Sequence, residues 1–329
     1  PQTEMSVYNQ LDERGYKTRI WCARYPDDKH KVAYSHKLAP IISESDGETG
    51  NPTDPKRFDK DDLLERELSY GKSGFALQFM LDVSLSDANK YPLKINDLMV
   101  LSGVHTWEEA PVSLKWASGV DQLDACKMLP NLGLKGDYWV APMHIADDYA
   151  EWEGSVMAID PAGRGKDETG YAVVKMLHGN LYLTASGGLL NGYSTDSLRK
   201  LSEVAREQNV NQMIVESNFG DGMFSQLLKP VLASIYPCTI EEVRHSTQKE
   251  KRIIDTLEPV FNSHKLIVDE KIIKDDFEST QDLKYKLFYQ ITRLTRDRGA
   301  LIHDDRLEAL SMAVNYWTEI MDRDAEDAV

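Results

Sequence analysis

The stretch Val156-Met-Ala-Ile-Asp160-Pro-Ala-Gly-Arg-Gly-Lys-Asp-Glu-Thr-Gly170 opens as an unbroken apolar run, closes that run on a carboxylate, and passes into a glycine-containing loop. A short apolar run bounded by turn formers reads as a buried strand. Residues 171–177 and 181–185 follow as two further β-type runs joined through His178-Gly-Asn, a hairpin signal. Three strands therefore succeed one another before any helix. Ser194-Thr-Asp then caps a helical pattern with Leu198, Leu201, Val204 and Ala205 on one face, ending near Gln208. Met213-Ile-Val-Glu216 is the next strand, again closed by a carboxylate. Asp221 opens a helix to about Ser234, residues 239–243 form a short strand, and residues 250–262 form a helix carrying Ile253, Ile254, Leu257, Val260 and Phe261. The last element begins at His303-Asp-Asp and runs through Leu307, Leu310, Met312, Val314 and Trp317. This order predicts an α/β fold whose mixed sheet has three antiparallel strands followed by parallel ones, flanked by helices.

Upstream the pattern is weaker and predicts a smaller α+β region. Residues 17–25 are strand-like, and residues 28–60, rich in Asp, Gly, Pro, Ser and Lys, read as a long surface connection. Asp59-Lys-Asp-Asp supplies an acidic helix start, Leu63, Leu64 and Leu68 mark one face, and Gly71 ends the helix. Residues 76–83 are a second apolar element, and residues 95–101 and 112–116 read as strands of a connecting region.

At 329 residues the chain has room for about two domains. Its 54 acidic against 38 basic residues give a net charge of −16, so any nucleic-acid contact must be local rather than a coat of positive charge. Hydrophobic residues at 41% with 28% charged residues place it among folded rather than disordered chains. No apolar run approaches the ~18 residues that span a bilayer. Cys22, Cys126 and Cys238 are isolated and odd in number, which argues against a disulfide framework or a thiolate zinc site and for a reducing compartment. The start at Pro1 reads as part of something longer.

Two glycine-lysine segments fail as phosphate loops. Before Gly71-Lys72-Ser73 the required first glycine is Arg66, and before Gly165-Lys166 it is Asp160. Asp160, Glu216 and the pair Asp304/Asp305 are the informative set. A carboxylate closing an apolar strand is costly to desolvate unless it is paired or bound to a cation. In an open α/β sheet, neighbouring strand ends converge on one edge, so distant residues can offer oxygens to the same hard cations, Mg²⁺ or Mn²⁺. Two such ions about 4 Å apart can hold a scissile phosphate and activate water.

The segments Asp160-Pro-Ala-Gly-Arg-Gly-Lys-Asp-Glu-Thr-Gly-Tyr, Glu216-Ser-Asn-Phe-Gly-Asp-Gly-Met-Phe and His303-Asp-Asp-Arg-Leu-Glu-Ala-Leu together resemble the nuclease domain of tailed-phage large terminase subunits, of the DNA maturase B type found in short-tailed coliphages. The resemblance covers about residues 150–320. Pro1-Gln-Thr-Glu-Met and Phe75-Ala-Leu-Gln-Phe-Met-Leu resemble the tail of that family's ATPase domain. It implies an RNase H-like fold and three parts: residues 1–95 from the motor domain, 96–150 as a linker region, and 151–329 as the nuclease domain. It also implies an endonuclease that cuts concatemeric double-stranded DNA with two Mg²⁺ or Mn²⁺ ions. Asp160 would bridge the ions, with Glu216 and Asp305 completing their shells and Asp304 sharing or replacing Asp305. Double-stranded DNA, a small terminase subunit and a portal or procapsid would be the partners, in the host cell cytoplasm. No Walker motif accompanies the nuclease segments, so no ATPase activity is expected of this chain.

Arg244, Lys249, Lys251 and Arg252 form one basic group, and Lys284, Lys286, Arg293, Arg296 and Arg298 another. Arg164, Lys166, Arg244, Lys249 and Arg252 are the candidate DNA-backbone contacts, with helix-face ion pairs as the alternative for the clustered ones. His303 and His245 could position water or stand behind the acids. Tyr285, Phe288 and Tyr289 read as core. Two other functions fit the acids less well: a junction resolvase, or a non-catalytic DNA-holding or portal-docking module.

Overall fold

Leu177 and Asn180 face each other across a two-residue turn in which His178 (φ 48°) and Gly179 (φ 72°) both take left-handed backbone. Such a turn matches the twist of the strands it joins. The computed structural model describes residue 11 and residues 14–82, 90–134, 137–162, 167–217 and 222–327. The chain divides into two units, Pro1–Tyr91 and Pro92–Val329.

The strands of the second unit are β1 (Met99–Leu101), β2 (Glu109–Pro111), β3 (Leu114–Lys115), β4 (His144–Ile145), β5 (Tyr149–Glu151), β6 (Gly154–Asp160), β7 (Thr169–Leu177), β8 (Asn180–Leu189), β9 (Gln212–Glu216), β10 (Thr239–Val243) and β11 (Leu266–Asp269). Seven of them form one sheet in the order β1-β11-β8-β7-β6-β9-β10. Strands β6, β7 and β8 are antiparallel, and β9, β10, β11 and β1 add in parallel. The expected three-strand antiparallel start followed by parallel strands is thus observed. β2 pairs with β5 and β3 with β4 in two small ribbons.

Helices α1 (Thr195–Glu207) and α2 (Met223–Ile235) cover one face of the sheet. On the other lie α3 (Lys249–Asn262), α4 (Glu270–Glu278), α5 (Leu287–Arg293) and α6 (Asp305–Asp327). Alternate residues of β6 serve the two cores: Val156 and Ala158 pack with Ile253, Leu257 and Leu310, whereas Met157 and Ile159 pack with Leu198, Leu201 and Phe224. A strand buried on both faces must be apolar throughout, which is why this run carries no alternation. Ser194 caps α1 by accepting a hydrogen bond from the Ser197 amide. On the other face the Trp317 indole donates to the Val174 carbonyl at 3.0 Å, fixing α6 against the sheet.

Several weaker expectations are corrected. Residues 17–25 form no strand; Ile20 and Arg24 make single bridges to Leu38 and Pro52. Residues 28–60 are not merely surface, because Tyr34, Leu38, Ala39 and Ile42 build the core of the first unit around Cys22. Their helices run four to seven residues, too short to show a period. In Lys60–Phe75 only Leu63 is buried among the three leucines, whereas Gly71 (φ 69°) does break the helical backbone where the helix was expected to end. Residues 95–101 split into a 3₁₀ turn, Ile95–Asp97, and β1, which forms an edge of the large sheet. β11 was not expected at all. Residues 99–151 supply β1 to β5.

Candidate metal centre

β6 and β9 run side by side in parallel with Ile159 opposite Val215, so the next residues, Asp160 and Glu216, emerge together at one edge of the sheet. The register alone brings two carboxylates from positions far apart in sequence to one spot. Helix α6 begins at that edge, with Asp304 immediately before it and Asp305 in its first turn. Carboxylates are favoured at a helix N-terminus by its unpaired amides and dipole. Asp160, Asp304 and Asp305 each offer an oxygen within 4.8 Å of the others, and Glu216, His245 and Glu308 form a second such group. All the acids expected at the site thus converge, and Glu308 joins them.

Two cations hold this cluster together. Lys249, the first residue of α3, places its Nζ 3.3 Å from Asp160 Oδ2 and 2.8 Å from Asp304 Oδ1. One turn on, the Arg252 guanidinium lies 2.7 Å from Glu308 Oε1 and 3.8 Å from Glu216 Oε1. His245 Nδ1 is 3.1 Å from Glu216 Oε1. Lys249 and Arg252, expected to face DNA phosphates, are therefore engaged with carboxylates of the centre. Arg244 is exposed, with its Nε 3.3 Å from Ser217 Oγ. Arg164 and Lys166 lie outside the described residues. Of the second basic group, Arg296 pairs with Asp255 and Glu258, and Lys286 donates to the Phe277 carbonyl. Phe288 is core as expected, while Tyr285 stacks on His303 with ring centroids 4.0 Å apart.

Crowding carboxylates away from water penalises their charged forms. Burial raises Asp160 well above the usual carboxylate range; Lys249 opposes this, and Glu216, Glu308 and Asp305 reinforce it. Burial likewise pushes Asp305 up to about 7 against the pull of Lys249, and Glu308 up to about 7 against Lys249 and Arg252. Burial would raise Glu216 too, but the hydrogen bonds it shares with His245 and Asp160 and the nearby cations hold it below its ordinary value. Lys249 goes the other way from a buried amine: Asp160, Asp304 and Glu308 outweigh burial and hold its ammonium form.

The donor set is oxygen-rich with one imidazole, which suits hard divalent ions. Asp305 Oδ2 and Glu308 Oε2 are buried without a hydrogen-bond partner, as oxygens kept for a cation would be. The residues therefore fit a divalent-metal centre.

A carboxyl raised in the folded state takes up its proton first there, so the folded chain binds more protons than the unfolded one between about pH 4 and 7, and stability falls as pH rises through that window. Three groups, Asp160, Asp305 and Glu308, act in this sense, against Glu216 alone at the centre. In EDTA the melting temperature should drop between pH 4.5 and 7.5. In the Glu308→Gln variant the drop should be smaller, and an equal drop would remove Glu308 from the coupled cluster.

Glu308 escaped the sequence reading although it follows Asp304 by four residues, which puts both on one helical face. A charge between Leu307 and Leu310 was the available signal. Glu168 and Arg306, both buried and paired with each other, were likewise passed over.

The strand order β8-β7-β6-β9-β10, with acids at the carboxyl ends of its two central parallel neighbours, defines an RNase H-like domain. The family description "Terminase Bacteriophage T7, Ribonuclease H-like domain" matches residues 159–266. The terminase large subunit of Enterobacteria phage T3 is 44% identical over 338 aligned residues, covering 99% of this chain and 57% of that protein. The chain belongs to the terminase large-subunit family, and it spans little more than half the length of the curated relative it matches. Among solved structures, the human cytomegalovirus terminase nuclease domain, Mn soaked and inhibitor bound, is 17% identical with a TM-score of 0.39, covering 60% of this chain and 93% of that one. The large terminase nuclease from thermophilic phage G20c is 10% identical with a TM-score of 0.37, covering 69% and 98%.

Proposed function

We propose that this chain is the endonuclease part of a phage DNA-packaging terminase, cutting concatemeric double-stranded DNA by two-metal phosphodiester hydrolysis in the host cell cytoplasm. The observation that carries this reading is the pair of adjoining ligand groups, Asp160 with Asp304 and Asp305, and Glu216 with His245 and Glu308. When bound, two Mg²⁺ or Mn²⁺ ions would supply the charge that polarises the phosphate and activates water.

The chain's own residues do the rest. Asp160 belongs to the first group and shares a hydrogen bond with Glu216 of the second, so it would serve both ions. Asp304, Asp305, Glu216 and Glu308 complete the oxygen donors, and His245 orients Glu216 from the side. Lys249 neutralises Asp160 and Asp304 until cations arrive, and Arg252 balances Glu216 and Glu308. Arg244 at the rim, with Arg164 and Lys166 in the loop after Asp160, is assigned to backbone phosphates, which give affinity without reading sequence. Residues 1–95 are assigned to the end of a motor domain, 96–150 to its connection and 151–329 to the nuclease. The small terminase subunit and the portal or procapsid are the assigned protein partners.

Relaxation of supercoiled plasmid by the purified chain tests this. Nicking should require millimolar Mn²⁺ or Mg²⁺ and stop in EDTA. A folded, metal-saturated chain that never nicks would favour a DNA-holding module instead.

A further inference from the structure

Asp304 and Asp305 have no strand of their own to fix them. Their position depends on what grips the start of α6. The residue after Asp305 is Arg306, with a side chain only 6% exposed. Its guanidinium meets Glu168 in a fork, Nε to Oε1 at 2.6 Å and a terminal nitrogen to Oε2 at 3.2 Å. Another nitrogen donates to Asp276 Oδ1 at 3.0 Å, and the side-chain oxygen of Gln281 accepts as well. Asp276 is itself fixed by the Leu287 and Phe288 amides. Two-pronged Arg–carboxylate contacts specify orientation as well as proximity.

Glu168 sits at the far end of the loop that leaves Asp160. The base of that loop is closed by the Ala162 amide, which donates to Thr169 Oγ1 at 2.9 Å. Two residues beyond Glu168, Gly170 pairs with Asp160 across the strands, and a Cβ at Gly170 would run into the backbone carbonyl of Asp305. A Cβ at Gly188 would likewise strike the Glu168 carboxylate. The segment 168–170 therefore touches Asp160 on one side and the Asp305–Arg306 backbone on the other.

We propose that Glu168, Arg306 and Gly170 form a brace that sets the distance between Asp160 and the Asp304/Asp305 pair, making them positioning residues for the metal centre. This rests on the two-metal reading above. The brace touches no reacting group; it acts by fixing ligands whose spacing decides cation affinity, as outer partners of metal ligands do.

The test is calorimetric titration of Mn²⁺ into the whole chain, comparing wild type with Glu168→Gln, Arg306→Lys and Gly170→Ala at a temperature where each is folded. Each variant should weaken Mn²⁺ binding about 10- to 100-fold. Gly170→Ala changes no charge, so its loss would report geometry alone. The double variant Glu168→Gln/Arg306→Lys should bind no worse than the weaker single, because one contact is broken in both. Variants that melt earlier yet titrate as wild type would overturn the proposal, and so would unfolding of all three, which would make the brace plain core. Wild type that binds no Mn²⁺ at this centre would topple the functional reading instead.

Discussion

Asp160→Asn should abolish metal-dependent nicking, lowering it by at least about a thousandfold, while the chain stays folded. On the proposed reading Asp160 would serve both ligand groups, and an amide of the same size would offer no negative charge to either ion. Losing several kcal/mol of charge stabilisation at a metal centre corresponds to a rate loss of this order. The fold should survive because the Asp160 carboxylate contributes through cations rather than packing: its backbone stays in β6, and burial already disfavours its charge. The metal-free melting temperature should not fall, and the stabilisation that Mn²⁺ gives wild type by binding the folded state should shrink. A folded variant that nicks as wild type does would remove Asp160 from the chemistry.

Lys249→Met should destabilise the metal-free chain at pH 8 by about 1–3 kcal/mol, a buried-pair cost reduced here because the Lys249 side chain is 33% exposed. The ammonium lies between Asp160 and Asp304, so its loss leaves several acids facing one another. Lys249 is held protonated above its ordinary value, so its side of the interaction is fully present at pH 8, and the effect depends on the acids being ionised. With Asp305 and Glu308 near 7, the destabilisation should fade as pH falls below about 5. Millimolar Mn²⁺ should also erase it, since divalent ions occupy the same negative pocket. Melting curves at pH 8 and pH 5, each with EDTA and with Mn²⁺, check both arms. A loss equal under all four conditions would mean that Lys249 acts through packing of its stem.

The centre of the fold was legible because β6 to β9 are five to ten residues long and bounded by turn or cap residues. The same strands gave away Asp160 and Glu216, since an acid closing an apolar run is conspicuous. Elements decided by tertiary contact were not legible. β11 is only four residues, Leu266-Ile-Val-Asp269, and becomes a strand because β8 and β1 flank it. Leu64 and Leu68 have the spacing of a buried face yet remain exposed, while Leu63 beside them is fully buried. At the site, residue types were readable but pairings were not. Lys249 and Arg252 looked like free basic residues until the approach of α3 to the strand ends put them among acids. Glu308 and Glu168 are buried acids, and each is explained by an arginine far away in the chain, Arg252 and Arg306 respectively.

The most direct test is anomalous diffraction from crystals of the chain soaked in Mn²⁺ at a concentration that supports nicking. Two manganese peaks are expected about 4 Å apart, one held by Asp160 with Asp304 or Asp305 and the other by Asp160 with Glu216 or Glu308, with the Lys249 ammonium withdrawn from its present contacts. No manganese peak on Asp160, with Lys249 still bridging Asp160 and Asp304, would contradict the two-metal reading.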